Sequence, residues 1–267
     1  MSLNNERSAA HEKILRVGAV SYLNTKPLIY GLERFAPQAE LVLDVPSQLA
    51  VDLAAGNLDV ALIPSIEFLR EPGYTIVSDA CIACRGPVLS VKLFSRVPLA
   101  RIRSLALDEG SRTSATLVRI LLRERFGITP TTRPLPIGAD AAAAETDAVL
   151  LIGDRAIRPP TFEFVEQWDL GEQWCLWADL PFVFAMWVAR SAALRSDLAP
   201  ALEAARDAGV ENVELIARQE AARVGLSIEE CLSYLRDNLY FYLGAREQRG
   251  LELFREHAAQ TLATANL

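Results

Sequence analysis

A strand and helix alternation that occurs twice is the feature of this sequence that most constrains its fold. In the first copy, apolar runs typical of strands occur at 16–20, 41–45 and 58–63. In the second copy they occur at 105–107, 131–135 and 148–152. Helical periodicity separates the runs, and the copies are offset by the 88 residues between Asp59 and Asp147. Because continuous apolar strands are typical of parallel sheets covered on both faces, the pattern predicts an α/β protein with two doubly wound halves.

Three further segments predict how the halves are joined. The runs 88–95 and 181–189 alternate like strands, and we expect them to carry the chain to the second half and back. Residues 196–267 show only helical periodicity, which predicts a helical tail packed on the first half. The expected division is lobe 1 at 14–94 with 184–267, lobe 2 at 95–183, and a disordered or tag-like 1–13. Two doubly wound lobes joined by two crossing strands resemble the periplasmic-binding-protein-like type II architecture, which places a ligand between the lobes.

The net charge and the length of the apolar runs exclude several classes of partner. The formal net charge is −7, so the chain as a whole repels nucleic acid and anionic membrane surfaces. The longest apolar run, 180–189, is well short of the ~20 residues that a bilayer-spanning helix needs. Residues 1–13 show no apolar segment typical of a secretory signal. We therefore expect a cytoplasmic monomer or homodimer with a small-molecule partner.

Cysteine and histidine are too few for most metal and nucleophile chemistry. Cys81 and Cys84 form a C-x-x-C pair, which indicates either a redox or zinc half-site or two buried thiols on a strand. We favour the buried thiols because no second pair follows. His11 and His257 lie near the ends of the chain, which excludes a Ser-His-Asp or Cys-His mechanism in its body.

The loops that follow the predicted strands should face the cleft, because ligands of open α/β sheets lie at the carboxyl ends of strands. The first loop offers Ser21, Tyr22 and Asn24 ahead of a predicted helix at 27–35. The second loop, before a helix from about 113 to 125, offers Ser111, Arg112, Thr113 and Ser114. Amides at a helix start, hydroxyls and a guanidinium are typical of anion sites. Simple helix capping, with a solvated arginine in the second loop, is the alternative.

The third and fourth loops end matching strands of the two halves. Ser65 follows the strand at 58–63 and can cap a helix or donate to a ligand. Asp154 follows the strand at 148–152 and is the acidic side chain that this geometry places at the cleft. A carboxylate there can bind a hydroxyl or move a proton. The alternative for Asp154 is a surface turn, or an ion pair with Arg155 or Arg158.

Six segments of the sequence match a known family. They are RVGAVSYLNTKPLIYGL (16–32), PSQLAVDLAAGNLDVALIPSIEFLR (46–70), GPVLSVKLFSRVPL (86–99), SRTSATLVRILLRERFG (111–127), LLIGDRAI (150–157) and LPFVFAMWVAR (180–190). From residue 14 to about 255 the chain resembles the chorismate dehydratases of the futalosine route to menaquinone. The ordered set SYLNT, SRTS and LIGD is the specific part of the resemblance. It implies a lyase that removes water from chorismate, a small dianion, to give 3-[(1-carboxyvinyl)oxy]benzoate without a metal or organic cofactor.

The resemblance also implies roles for the loop residues. Arg112 and the amides of its loop would hold one carboxylate of chorismate, and Ser65 and Ser90 would hold the other. Asn24, in the family's Tyr-Leu-Asn motif, would hydrogen-bond near the reacting carbons and orient the departing hydroxyl. Two bases remain open, the Asp154 carboxylate and the substrate's own enolpyruvyl carboxylate.

One departure from the family and one rival function accompany this interpretation. Before GPV the family usually carries small polar residues, whereas this chain has Cys84 and Arg85. We expect Arg85 to supplement or displace an anion contact if its loop touches the ligand. The rival function is a non-catalytic solute- or effector-binding protein for a small carboxylate, because the same lobed architecture serves both roles.

Overall fold

The computed structural model describes residues 14–158, 162–190 and 198–264, so the expectation for residues 1–13 lies outside the described residues. The strands are β1 (Leu15–Val20), β2 (Ala39–Asp44), β3 (Val60–Pro64), β4 (Tyr74–Cys84), β5 (Val91–Ser95), β6 (Ser104–Asp108), β7 (Thr131–Leu135), β8 (Ala148–Ile152), β9 (Glu166–Asp169), β10 (Phe182–Arg190) and β11 (Tyr240–Tyr242). The α-helices are α1 (Leu32–Phe35), α2 (Pro46–Ala55), α3 (Ser65–Arg70), α4 (Arg112–Phe126), α5 (Asp154–Ile157), α6 (Leu170–Ala178), α7 (Leu198–Glu211), α8 (Val213–Glu220), α9 (Ile228–Ser233) and α10 (Ala245–Thr264). Short 3₁₀-helices span Leu23–Ile29, Leu99–Arg101 and Ala141–Ala143, and a π-helical turn spans Tyr234–Asn238.

Two mixed sheets form the framework of the two lobes. The first has the order β11-β4-β10-β3-β1-β2, and the second has the order β7-β6-β8-β5-β9. In both sheets three parallel strands are followed by a strand that is antiparallel to both of its neighbours. This strand is β10 in the first sheet and β5 in the second. The predicted α/β fold with two doubly wound lobes is confirmed.

The burial of each strand agrees with its place in its sheet. Strands β3 and β8 are apolar and buried at every position, because helices or loops cover both faces of the sheet centre. Strand β7 is mostly exposed and lies at an edge, where Pro134 removes no essential ladder hydrogen bond. No helix within the described ranges is long and apolar enough to cross a membrane.

The predicted repeat is visible in the hydrogen bonds of its two aspartates. Asp59 Oδ2 accepts the amide of Arg16 in β1 at 3.0 Å. Asp147 Oδ2 accepts the amide of Ser104 in β6 at 2.9 Å. Each carboxylate therefore accepts a hydrogen bond from a backbone amide at the start of a neighbouring strand in its own sheet. The 88-residue offset between Asp59 and Asp147 corresponds to equivalent positions in the two lobes.

The chain crosses between the lobes next to the predicted strands and not within them. The run expected at 88–95 forms a strand only from Val91, and that strand pairs inside the second sheet. The return run becomes β10, which pairs inside the first sheet. The expected boundaries at 94/95 and 183/184 therefore fall within β5 and β10. The exact division of the chain into lobes stays a prediction.

Two local expectations were wrong. The helix predicted at 27–35 is a 3₁₀-helix at Leu23–Ile29 followed by α1, because Gly31 between them adopts a left-handed conformation with φ 64°. The tail, expected to be only helical, contains β11, which extends the first sheet by pairing with β4. The tail packs on the first lobe through α7, and α10 also contacts α4 of the second lobe.

Candidate active site

An interlobe cavity lies where the loops after β1, β6 and β8 meet the loop before β5. It encloses about 460 Å³ of empty space, including the part open to solvent. Its polar side chains are those of Tyr22, Asn24, Ser90, Ser111 and Ser114. Its apolar walls include Val20, Ile82, Val88, Val91, Ile152 and Phe184. The side chains that line the interlobe cavity are thus uncharged.

The N-terminus of α4 supplies one wall of the interlobe cavity. Ser111 is the N-cap residue, and its Oγ accepts the amide of Ser114 at 3.2 Å. The hydroxyls of Ser111 and Ser114 lie 3.1 Å apart. The first amides of a helix have no partner within the helix, and its partial positive charge favours an anion. This wall is therefore suited to a carboxylate although no cation lines it.

Tyr22 reaches from the first lobe onto two glycines of the second. Its ring carbons lie 2.9–3.0 Å from the point where a Cβ atom on Gly153 would stand. Its hydroxyl lies 3.0 Å from the equivalent point on Gly110. Burial, together with the nearby Asp108 carboxylate, raises the pKa of Tyr22 to about 12. Tyr22 therefore faces the interlobe cavity as a neutral phenol, and glycine at both positions makes the close approach possible.

Asn24 lies in the 3₁₀-helix that starts at Leu23. Its Oδ1 is 3.4 Å from the hydroxyl of Thr25, which can donate to it. Its side chain lines the same interlobe cavity as Ser111 and Ser114 at the start of α4. The two predicted anion loops thus meet in one cavity.

Asp154 joins the second lobe to the loop that carries Asn24. Its Oδ1 accepts the amide of Leu23 at 3.0 Å, and its side chain is not part of the cavity lining. Burial raises the pKa of Asp154, and the hydrogen bond from Leu23 acts in the opposite direction. The ion pair that the sequence offered as an alternative is made by another residue, since Arg155 pairs with Asp108.

The turn that precedes Ser90 is held by Asp169, a residue that the sequence analysis missed. The Asp169 carboxylate accepts the amides of Val88 at 2.9 Å and Leu89 at 2.6 Å. It also caps α6, because Oδ1 accepts the amide of Glu172. Asp169 three residues before Glu172 is a typical N-cap signal, but the contacts with residues 88 and 89 are long-range. They fix the turn at Leu89, where φ is 59°, and so place Ser90 at the interlobe cavity.

Two predicted hydroxyls are used to join helices and do not line the interlobe cavity. Ser65 Oγ donates to the carbonyl of Val183 at 2.8 Å. Thr113 Oγ1 accepts the amide of Ile66 at 3.1 Å and lies 3.4 Å from Ser65 Oγ. Both side chains are fully buried. The expectation that Ser65 contacts the ligand is therefore not supported by its position.

Three more predicted residues also lie away from the cavity lining. Arg112 forms an ion pair with Glu67 at 3.2 Å and lines a more open groove that shares Ser111 with the interlobe cavity. Arg85 Nε donates to Glu247 at 2.9 Å, and its guanidinium stacks on a tyrosine ring. Ser21 is exposed, and its amide donates to the carbonyl of Asp44. Five of the eleven predicted residues line the interlobe cavity, namely Tyr22, Asn24, Ser90, Ser111 and Ser114.

The cysteine pair has the structural role that the sequence favoured. Cys81 and Cys84 are free, buried thiols on β4, and burial raises the pKa of both. Among the described residues, no group of three or more histidine, cysteine, aspartate and glutamate side chains could hold a metal ion.

The fold and the interlobe cavity define a two-lobed α/β protein of the periplasmic-binding-protein-like type. Solved structures support this class. A protein from Archaeoglobus fulgidus matches with a TM-score of 0.66 at 15% identity, covering 94% of this chain and 98% of that one. The periplasmic aliphatic sulphonate binding protein SsuA from Escherichia coli matches with a TM-score of 0.60 at 16% identity, covering 92% and 87%. At these identities the likeness concerns the fold alone.

Sequence comparison identifies the family. Chorismate dehydratase from Thermus thermophilus is 32% identical over 260 residues, covering 86% of this chain and 95% of the relative. Chorismate dehydratase from Campylobacter jejuni is 25% identical over 244 residues, covering 89% and 94%. The family described as menaquinone biosynthesis matches residues 15–260. The chain belongs to this menaquinone biosynthesis family.

Proposed function

We propose that this protein is a lyase that dehydrates chorismate to 3-[(1-carboxyvinyl)oxy]benzoate, the first step of the futalosine route to menaquinone. The similarity to two chorismate dehydratases over most of the chain supports the substrate. The observation that carries the proposal is the interlobe cavity, which is lined both by Asn24 and by the N-terminus of α4. Helix amides, hydroxyls and apolar walls are the groups that a small dianion with an unsaturated ring would require.

The α4 side of the interlobe cavity is proposed to hold one carboxylate of chorismate. The hydroxyls of Ser111 and Ser114 and the first amides of the helix are the donors available there. Ser90, which directly precedes β5, is the proposed donor to the second carboxylate. Arg112 and Ser65 are left out because each is engaged elsewhere, with Glu67 and with the Val183 carbonyl.

The chemical step needs positioning and one proton transfer. The C3 proton and the C4 hydroxyl of chorismate leave together as water, and the ring becomes aromatic, so the product is strongly favoured. Asn24 is the proposed catalytic residue, because its amide can donate a hydrogen bond to the departing hydroxyl. Holding the reacting groups in one geometry supplies much of the remaining acceleration.

The substrate's own enolpyruvyl carboxylate is the proposed base. Asp154, the other candidate, already accepts the Leu23 amide and is not among the residues that line the interlobe cavity. A carboxylate held against the ring can take the C3 proton and pass it to the departing hydroxyl. The expectation of a reaction without cofactor, and of a cytoplasmic monomer or homodimer, stays a prediction.

Turnover of chorismate by the purified protein tests the function. We expect the loss of chorismate and the appearance of an aromatic product lighter by one water, followed by absorbance and mass spectrometry. Asn24→Ala should lower kcat by more than about tenfold, the equivalent of one lost hydrogen bond in the transition state. A binding protein would return chorismate unchanged, and that result would replace the lyase by the rival function.

A second comparison tests which side chains hold the carboxylate. Ser114→Ala removes a hydroxyl from the cavity lining and should raise KM. Arg112→Ala removes a guanidinium that pairs with Glu67 and should leave KM nearly unchanged. A rise in KM for Arg112→Ala alone would restore the role that the family resemblance implied for this arginine.

A further inference from the structure

A buried phenol behind the interlobe cavity has no role in the mechanism described so far. The side chain of Tyr234 is fully buried. Its hydroxyl meets no hydrogen-bond partner of normal geometry among the described residues. Leaving a buried hydroxyl unpaired is costly, so native proteins rarely do it without a reason.

Two of the polar groups around this hydroxyl belong to the interlobe cavity. The side chains of Ser90 and Asn24 act on the Tyr234 hydroxyl as hydrogen-bonding groups. The carboxylates of Asp154 and Asp169 act on it through their charge. Ser90 and Asn24 line the interlobe cavity, whereas Tyr234 does not. Burial raises the pKa of Tyr234 far above its usual value, so the phenol keeps its proton. Tyr234 is thus a neutral donor placed behind two residues that face the substrate.

The backbone around Tyr234 ties it to the loop that carries Ser90. Tyr234 is the first residue of the π-helical turn Tyr234–Asn238, and such turns are frequent at functional sites. At the other end of the turn, Asn238 Nδ2 donates to the carbonyl of Pro87 at 2.9 Å. The turn and the Ser90 loop are therefore connected directly.

We propose that Tyr234 is a positioning residue that orients the Asn24 amide and the Ser90 hydroxyl toward chorismate. This inference rests on the proposed function. A phenol can donate to Asn24 Oδ1 and accept from the Ser90 hydroxyl at the same time. With Oδ1 facing Tyr234 and Thr25, the amide nitrogen of Asn24 is left to donate to the departing hydroxyl. We expect both hydrogen bonds to reach normal geometry when substrate fills the cavity.

Tyr234→Phe tests the proposal because it removes only the hydroxyl. We expect kcat to fall by about threefold to tenfold, the equivalent of one hydrogen bond, with a smaller change in KM. The melting temperature should change little, because the lost hydroxyl makes no hydrogen bond of normal geometry among the described residues. Tyr242→Phe is the matched control, since its hydroxyl bonds Asp207 at the surface and its loss should leave kcat unchanged.

A double variant shows whether Tyr234 acts through Asn24. If it does, Tyr234→Phe should have little further effect on kcat in the Asn24→Ala background, because coupled residues are not additive. An unchanged kcat in Tyr234→Phe would overturn the proposal. Fully additive losses, or a fall in melting temperature that explains the loss of activity, would overturn it as well. Failure of the wild-type protein to convert chorismate would instead overturn the proposed function.

Discussion

Replacing Asp154 separates the two bases that the sequence left open. The structure gives this carboxylate one hydrogen bond, from the amide of Leu23 at 3.0 Å. Leu23 opens the 3₁₀-helix that carries Asn24. Asp154 therefore either takes the C3 proton of the substrate or holds the Asn24 loop against the second lobe.

The two roles predict effects on kcat that differ by orders of magnitude. Asp154→Asn keeps an oxygen that can accept the Leu23 amide. A hydrogen bond to a charged group contributes about 1.5–3 kcal/mol and a neutral one about 0.5–1.5 kcal/mol, so the variant should lose about 1 kcal/mol of stability. Relief of the cost of burying a charge reduces this loss further. If the carboxylate holds the loop, kcat should stay within about threefold to fivefold of wild type. If it is the base, kcat should fall by about 10²–10⁴.

The assay is kcat at saturating chorismate, with the melting temperature measured on the same samples. Asp154→Ala serves as the second variant, because it leaves the Leu23 amide without its acceptor and should cost about 1–3 kcal/mol of stability. A loss of kcat beyond about a hundredfold in Asp154→Asn, at a melting temperature near that of wild type, would refute the positioning role.

The pH dependence of stability gives an independent check on Asp154. Burial raises its pKa above the 3.8 of the unfolded chain, so the native state binds a proton more readily. The contribution of Asp154 to the free energy of unfolding is then largest at low pH and falls as pH rises through its pKa. Asp154→Asn should remove this slope, which urea unfolding between about pH 3.5 and 7 can measure.

Three further predictions concern residues around the site. Gly153→Ala should raise KM and cost roughly 1–3 kcal/mol of stability, because φ is 68° and the new methyl would meet the Tyr22 ring. Arg85→Ala should lower stability by about 1–3 kcal/mol with KM unchanged, because it strands the buried Glu247 carboxylate. Asp147→Asn should be less stable than wild type at neutral pH, and this difference should disappear as pH falls below 3.8. The amides of Arg103 and Ser104 outweigh burial and lower the pKa of Asp147, so its contribution is present above that pH and disappears below it.

Gly153→Ala has a control variant, and each of the three predictions has an outcome that would contradict it. Gly138→Ala also carries a positive φ, but no atom lies within 4 Å of its added methyl, so KM should not change. Equal KM values for Gly153→Ala and Gly138→Ala would show that contact with the Tyr22 ring does not affect substrate binding. A raised KM in Arg85→Ala would return Arg85 to the ligand site. If Asp147→Asn is less stable than wild type by the same amount at neutral and at acid pH, the charge of Asp147 does not stabilise the fold.

The sequence was sufficient for the framework because the framework depends on local patterns. The continuous apolar runs of β3 and β8 require cover on both faces, which indicates central strands of an α/β sheet. Each of these strands has one parallel and one antiparallel neighbour. The aspartates of the repeat mark equivalent strands through hydrogen bonds within their own lobe. Strand β11 escaped prediction because three residues at a sheet edge carry too short a pattern.

The direction of individual side chains depends on contacts that the sequence does not display. Ser111 and Ser114 lie three positions apart at the start of α4 and so share a face, whereas Arg112 and Thr113 point elsewhere. A prediction that the helix starts near residue 113 does not define which of its first side chains face the cavity. The partner of Arg85 is 162 residues away, and that pairing depends on the folded tail. Tyr234 is likewise more than 140 residues away in sequence from Ser90 and from Asn24.

An uncharged cavity is a reasonable site for a reaction at whose end both carboxylates have the charge with which they began. Chorismate and its dehydration product carry the same two negative groups, so a cation placed on them would bind substrate and product alike. Such uniform binding lowers KM without raising kcat, and it slows product release. The hydroxyls of Ser111 and Ser114 and the start of α4 would bind the carboxylate more weakly than a cation would. The donors that can distinguish the transition state are then those facing the reacting ring, with Asn24 first among them.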